Sequence, residues 1–200
     1  MRIRRDEMAA RNILDLVQDA RRGNLKSFNE LVLMYQDIVY DIAYRMLSDQ
    51  RTAETATQEA FLSAYRSLST YRGSSFRAWL LRILIQVCHN ELRFHKTPSF
   101  TSIIKQYFSG TEGSKLPTRV FHSGKGNEST SEYPDLNLEI QNSLASLPAD
   151  ERVILVLVAI WGMDYAEVAE VTGRPTGAIR NRVALARKSL HDLLVVGLFP

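Results

Sequence analysis

Residues 164–194 read DYAEVAEVTGRPTGAIRNRVALARKSLHDLL, and the pattern is that of two helices joined by a tight turn. Asp164 stands where a helix needs an N-cap, and Glu167 follows three residues on, the spacing of a capping box. Val168, Ala169 and Val171 give the helix behind them a small apolar face. Gly173 permits a left-handed exit, and Pro175 has no amide proton to donate inside a helix. A second helix is predicted from Pro175 or Thr176. In it Ile179, Val183, Ala186 and Leu190 recur at steps of four, three and four, which makes one buried stripe. Asn181 and Lys188 fall opposite that stripe, with Arg180, Arg182 and Arg187 on the flanks. Five basic residues and no acid lie between Arg174 and Lys188. Such a helix suits a DNA major groove, where Arg and Lys meet phosphates or guanine and Asn can meet adenine. The competing reading is an amphipathic core helix with a solvated basic face. The turn and the capped helix before it weigh against that reading.

Working outward, 200 residues suit one large or two small domains, and a hydrophobic content of 45% is enough for real cores. The formal net charge is only +3, but it is unevenly placed. Asp135 to Glu170 holds seven acids and one base, Arg152, whereas the block after it is basic until Asp192. That asymmetry favours a polyanion on one face. A single cysteine, Cys88, excludes an intramolecular disulfide and fits a reducing compartment. The longest apolar run, Val153 to Trp161, is too short to span a bilayer. The N-terminus MRIRRDEMAA lacks the apolar core of a secretory signal. The expected location is the cytoplasm.

The rest of the chain reads as helix as well. Helices are predicted over residues 7–22, 25–47, 50–68 and 76–96, with Gly23, Ser48 and the polar loop Ser69 to Ser75 between them. Phe76, Trp79, Leu80, Ile83, Val87 and Leu92 point inward from the last of these. Residues 97–134 change character, rich in Gly, Pro, Ser and Thr, and read as a flexible linker. Ile103, Ile104, Tyr107 and Phe108 stand out within it as a short helix or an apolar patch. Helix resumes at about Asp135 and stops at Pro148. Ala149 to Trp161 form another helix, apolar almost all round and so buried. No alternating strand pattern is evident in the first half. The expected fold is therefore all-α: two small helical domains, residues 7–96 and 135–195, joined by the linker.

The residues offer little for catalysis. His89, His95, His122 and His191 are scattered, and Cys88 points away from His89 on a helix, so no metal site is expected. Gly110, Gly113, Gly124 and Gly126 neither follow a strand nor open a clear helix, so no phosphate loop is expected. No nucleophile lies beside a plausible base. No cofactor is implied, and an enzyme is the weaker class. The stretch from Tyr71 to Lys96 is different. It sets a loop aromatic beside Arg72, then a helix carrying Arg77, Arg82, Gln86, Asn90, Arg93 and Lys96 against one acid, Glu91. Aromatic rings beside basic groups serve single-stranded nucleic acid, rings for bases and charges for phosphates. Trp79 is read as core, and Tyr71 as the better stacking residue.

Two segments then resemble one family in the right order. LVLMYQDIVYDIAYRMLSDQRTAETATQEAFLSAYRSLSTYRGSSFRAWLLRI is similar to the promoter-melting second region of extracytoplasmic-function RNA polymerase sigma factors. LPADERVILVLVAIWGMDYAEVAEVTGRPTGAIRNRVALARKSLHDLL is similar to their fourth region. The resemblance implies a protein without catalytic activity that binds core RNA polymerase, directs it to promoter DNA and helps to open it. It implies polymerase docking by the AETATQEAF helix, through Glu54, Thr55, Gln58, Glu59 and Ser63. It implies capture of the −10 element by the loop and following helix, through Tyr71, Arg72, Ser74, Ser75, Arg77, Arg82 and Gln86. It implies reading of the −35 element by Thr176, Gly177, Ala178, Arg180, Asn181, Arg182, Arg187 and Lys188. An anti-sigma factor is a partner this class often has. Three departures stand out: Thr55 where the family usually has aspartate, a loop YRGSSF one residue short, and Gln86 in place of a frequent asparagine. The alternatives are a helix-turn-helix regulator acting without core polymerase, which leaves YRGSSFRAWL without a purpose, and a helical interaction protein, against which the charge asymmetry argues.

Overall fold

A computed structural model describes residues 13–72, 75–94 and 134–198. The linker expected at 97–134, with its Ile103 to Phe108 patch, lies outside the described residues except for Pro134, which opens a helix. Among the described residues the regular structure is helical, with no strand.

The N-terminal half is a stack of helices whose ends are set by side-chain caps. Helix α1 is described over residues 13–21. The Asn24 side chain accepts from the amides of Lys26 and Ser27 and starts α2, Leu25–Leu47. Its buried stripe includes Phe28, Leu31, Val39, Ile42 and Met46. The helix ends at Ser48, which takes the left-handed conformation at φ 58. Asp49 then accepts from the Thr52 amide at 2.7 Å and starts α3, Gln50–Ser67. The buried residues of α3 are mostly small, namely Ala53, Ala56, Thr57, Ala60 and Ala64, which lets α2 and α4 approach closely. A single 3₁₀ turn, Leu68–Thr70, leads to the loop. Helix α4, Phe76–Phe94, has the Ser75 hydroxyl accepting from the Ala78 amide at its start. Phe76, Leu80, Leu81, Leu84, Val87 and Cys88 are buried on it.

The C-terminal half comprises α5 (Pro134–Ser146), α6 (Ala149–Leu155), α7 (Tyr165–Thr172) and α8 (Thr176–Leu198). The single helix expected from Ala149 to Trp161 is instead α6 followed by a π-helical turn, Val156–Ile160. The Trp161 amide reaches back five residues to the Val156 carbonyl at 3.1 Å, and Gly162 then reverses the chain at φ 61. The wider turn re-aims Trp161, which expectation placed on an all-buried helix and which is only half-buried here. The capping box of α7 forms as expected. Asp164 accepts from the Ala166 and Glu167 amides at 2.8 Å each, and the Asp164 amide donates to Glu167 at 3.2 Å.

One apolar core runs through both halves. It joins Phe28, Leu31, Ile42 and Leu84 of the first with Val153, Ile154, Leu157, Val168, Ile179 and Val183 of the second. A smaller cluster, Leu144, Leu147, Leu155 and Ala186, ties α5 and α6 to α8. The expected stripe on α8 is thus buried at Ile179, Val183 and Ala186, with Leu190 half-buried beside them.

Candidate nucleic-acid and polymerase interface

The helix-turn-helix comes first. Gly173 closes α7 at φ 69, where a side chain would be strained, and its amide returns to the Ala169 carbonyl. Pro175 opens α8, its carbonyl accepting from Ala178 at 2.9 Å. With the apolar stripe turned inward, Thr176, Gly177, Arg180, Asn181, Arg187 and Lys188 are exposed, and Ala178 is half-buried. Arg182 differs from the other cations. It sits on the flank, 3.6 Å from Asp150 Oδ2, and Arg174 in the turn is also paired with that carboxylate. Asp150 lies in the first turn of α6, so a residue with no predicted role collects two of the five cations counted in the sequence. Nothing in linear spacing could show this, because the partners are 24 and 32 positions away.

The second group surrounds α4. Tyr71 was expected as an exposed loop aromatic, and the structure corrects this: the residue is only 5% exposed. It packs edge-on against Phe76 at 5.9 Å and Trp79 at 5.5 Å. Tyr35 lies 5.5 Å from Phe76 in the same group. The physical reason is area: an aromatic ring beside three others gains more from burial than from exposure. Burial raises the Tyr71 hydroxyl above its ordinary range, with the Glu170 charge adding to it, and the hydroxyl has no hydrogen-bond partner among the described residues. Trp79, expected in the core, is half-buried against it. Arg72 is exposed and donates to the carbonyls of Ser69 at 2.7 Å and Tyr71 at 3.3 Å. Arg77 is half-buried, and its Nε has no hydrogen-bond partner among the described residues. Gln86 is exposed. Arg82 donates to the Glu170 carbonyl, near the end of α7. Ser75 is taken up as a helix cap, and Ser74 lies outside the described residues.

The third group lies along α3. Thr55, Gln58 and Glu59 sit on the side away from Ala53, Ala56, Ala60 and Ala64, as 3.6-residue periodicity dictates, with Glu54 and Ser63 on its two flanks. Thr55 and Gln58 are exposed; Glu54 and Ser63 are half-buried. The Thr55 hydroxyl turns back to the Arg51 carbonyl at 3.0 Å, and Glu54 accepts from Gln50 at 3.0 Å. Glu59, expected among the docking residues, is half-buried. Burial raises its carboxyl pKa, the Glu91 charge raises it further and Arg66 opposes them.

No group of three or more His, Cys, Asp or Glu able to hold a metal occurs among the described residues. Burial, with Glu91 adding to it, pushes the Cys88 thiol up to about 12, so at neutral pH it is a packed thiol and not a thiolate nucleophile. None of the described helices is long and apolar enough to cross a membrane.

Two families match this arrangement in chain order: Sigma-70 region 2 over residues 31–97 and Sigma-70 region 4 over residues 137–190. The RNA polymerase sigma-H factor of Pseudomonas aeruginosa is 30% identical over 187 residues, covering 90% of this chain and 92% of that protein. The ECF RNA polymerase sigma factor SigW of Bacillus subtilis is 27% identical, covering 89% and 94%. Among solved structures, CnrH in complex with the cytosolic domain of CnrY has a TM-score of 0.64 at 22% identity, over 90% of this chain and 96% of that one. RpoE of Bartonella quintana, in complex with the anti-sigma factor NepR, has 0.61 at 24%, over 86% and 98%. The matched regions therefore define an RNA polymerase sigma factor of the sigma-70 type. Within that type, the chain belongs to the extracytoplasmic-function class, and its function is promoter-directed initiation of transcription.

Proposed function

We propose that the chain divides this function among the three groups of residues described above, with domains at 7–96 and 135–195. The exposed side of α3, through Glu54, Thr55, Gln58, Glu59 and Ser63, docks on core RNA polymerase. The α4 region, through Arg72, Ser74, Ser75, Arg77, Arg82 and Gln86, takes the −10 element as it opens, with Tyr71 acting as a packed support for the loop. The outward face of α8 reads the −35 element. Thr176, Gly177 and Ala178 bring backbone to the DNA at the helix start, and Arg180, Asn181, Arg187 and Lys188 supply side chains. Arg182 acts mainly through its pairing with Asp150.

The observation that carries this reading is the order of two matched regions, with a capped helix-turn-helix whose outward face is basic. A regulator working without core polymerase is not favoured, because it gives the region 2 match over residues 31–97 no role. An anti-sigma factor is a further proposed partner, supported by the two solved relatives above, RpoE of Bartonella quintana having been solved with one. The place of action is the cytoplasm, where polymerase and promoter DNA are. The protein contributes binding and no catalytic step of its own.

The docking assignment has a direct test. Glu54→Lys with Gln58→Lys reverses the charge of the α3 face without touching its buried alanines. Affinity for core polymerase is expected to fall about tenfold or more, a loss of about 1.4 kcal/mol, while the thermal midpoint stays where it is. Equal affinity for core polymerase would place the docking surface elsewhere.

A further inference from the structure

The outward side of α8 is not uniformly polar. The buried Ile179, Val183 and Ala186 fix which side of the helix faces in, and helical periodicity sets the rest. Arg180 and Arg187, two turns apart and both exposed, lie along one edge of the outward side. Gly177, Asn181, Ala184 and Lys188, all exposed, run along its middle. The other edge holds Ala178, Arg182 and Leu185. Leu185 is 60% exposed, the most open large apolar side chain described on this helix. One turn away on the same side its neighbours are Asn181 and Lys188, and Arg182 beside it is drawn toward Asp150 Oδ2 at 3.6 Å.

Gly177 carries a second observation. A Cβ built on it meets nothing among the described residues within 4 Å, its own helical turn aside, and its φ is not positive. Neither packing nor backbone conformation requires glycine there, and alanine would suit a helix better. The room left by the missing side chain is on the outside, in the first turn of α8, where a partner can come against the backbone. The same partner must meet an apolar side chain two turns later, with cations around it. A protein surface built to cover Leu185 with apolar groups would meet only charges and an amide beside it. The DNA major groove offers both parts: phosphates at its rim for Arg180 and Arg187, and on its floor the 5-methyl group of thymine.

We propose that Leu185 is a specificity-determining residue for the −35 element, packing against the 5-methyl group of a thymine on the floor of the major groove. Gly177 lets the start of α8 come close enough for a side chain two turns later to reach that floor. Arg180 and Arg187 hold the DNA backbone along one edge, and the Asp150 carboxylate draws Arg182 back from the edge where Leu185 lies. The inference rests on the assignment of the outward face of α8 to the −35 element given under Proposed function, and it adds a contact made by an uncharged side chain. Covering a leucine that water otherwise surrounds is favourable in itself. The element is then read by a methyl group as well as by hydrogen bonds, and a cytosine at the same place, with no methyl, is disfavoured.

The test uses the full chain with core RNA polymerase and the −35 element that this complex selects from a randomised library. Each thymine of the element, on either strand, is replaced singly by deoxyuridine, which lacks only the 5-methyl group, and the affinity of the complex for each duplex is measured by competition. For the parent chain, at least one replacement should weaken binding about fourfold, the factor for one buried methyl-sized group. Leu185→Ala should bind the thymine and deoxyuridine duplexes equally at that position. Leu185→Met, which keeps an apolar side chain of similar reach, should keep the preference. The position is exposed and both replacements are good helix formers, so the thermal midpoint should stay where it is. An element without thymine, a parent indifferent to deoxyuridine at every thymine, or a Leu185→Ala variant that discriminates as the parent does would overturn the proposal. So would a Leu185→Ala variant that loses affinity for core polymerase and keeps the thymine preference, which would give the leucine to a polymerase contact. In any of these events Asn181→Ala with Lys188→Ala separates the causes. If that double variant weakens promoter binding, only the leucine contact has failed; if it binds as the parent does, the assignment of α8 has failed as well.

Discussion

Asp150 shows how one residue changes the arithmetic of a basic face. Its carboxylate pairs with Arg174 and lies 3.6 Å from Arg182. The pairs are partly exposed, so they add little to stability. Their larger effect is on DNA, because an arginine held by a carboxylate does not neutralise a phosphate. Each phosphate contact contributes about 0.9 to the slope of log affinity against log salt. Asp150→Asn is therefore expected to steepen the slope for non-specific duplex DNA by about one contact or more. Glu151→Gln removes a neighbouring charge that holds neither arginine, and should change affinity without changing the slope as much. Equal slopes for the two variants would show that the arginines already reach the backbone. Tyr71 carries the second prediction at this scale. Its ring is packed, and its hydroxyl has no partner among the described residues. Tyr71→Phe should gain about 1 kcal/mol by removing an unsatisfied buried group. Tyr71→Ala should lose about 3 kcal/mol or more by opening a cavity among Phe76 and Trp79. Urea denaturation of the two variants checks this, and a destabilised Tyr71→Phe would mean that the hydroxyl has a partner.

At the scale of elements, the proposed reading of the −35 element divides the work along the length of α8. Arg180 and Asn181 lie near its N-terminal end, the end that meets base edges in helix-turn-helix proteins, and Arg187 and Lys188 lie about two turns later. Arg180→Ala or Asn181→Ala should alter which −35 sequences are used, at about 1–3 kcal/mol for a lost bidentate contact. Lys188→Ala should weaken all sequences alike and lower the salt slope by about one ion. A randomised −35 library selected with each variant in complex with core polymerase reads both effects. Reshaped preferences for Lys188→Ala, with mere scaling for the other two, would reverse the docking direction. Much of this element was legible from local pattern. The Asp164 to Glu167 capping box, the Gly173 exit and the Ile179, Val183, Ala186 stripe all depend on neighbours within a turn or two, and all are present. What pattern could not give depends on distant partners. The π turn after Leu155 has the same apolar composition as a regular helix, and only the place of Asp41 on α2 explains where Trp161 must point. Tyr71 reads as a polar-loop aromatic in sequence, yet its burial is decided by Phe76 and Trp79 across the loop.

For the whole molecule, the continuous core means that the two halves do not behave as independent beads in this arrangement. Sequence shows two helical patterns and the stretch between them. It does not show that Gln141 and Arg152, ordinary polar letters in the C-terminal half, are buried against the end of α2. The residues that join the two halves are therefore unlike those that mark the family, which are read from motif order. The protein's role itself rests on the two matched regions and the exposed basic face of α8. The most direct test combines the purified full chain with core RNA polymerase and a pool of DNA templates carrying randomised upstream sequence, and sequences the 5′ ends of the transcripts. Transcripts should depend on the added chain and start downstream of one shared pair of elements near −35 and −10. Arg180→Ala with Asn181→Ala should change only the upstream element of that pair. Transcripts that are no more abundant than with core polymerase alone, or that start without a shared upstream element, would contradict it.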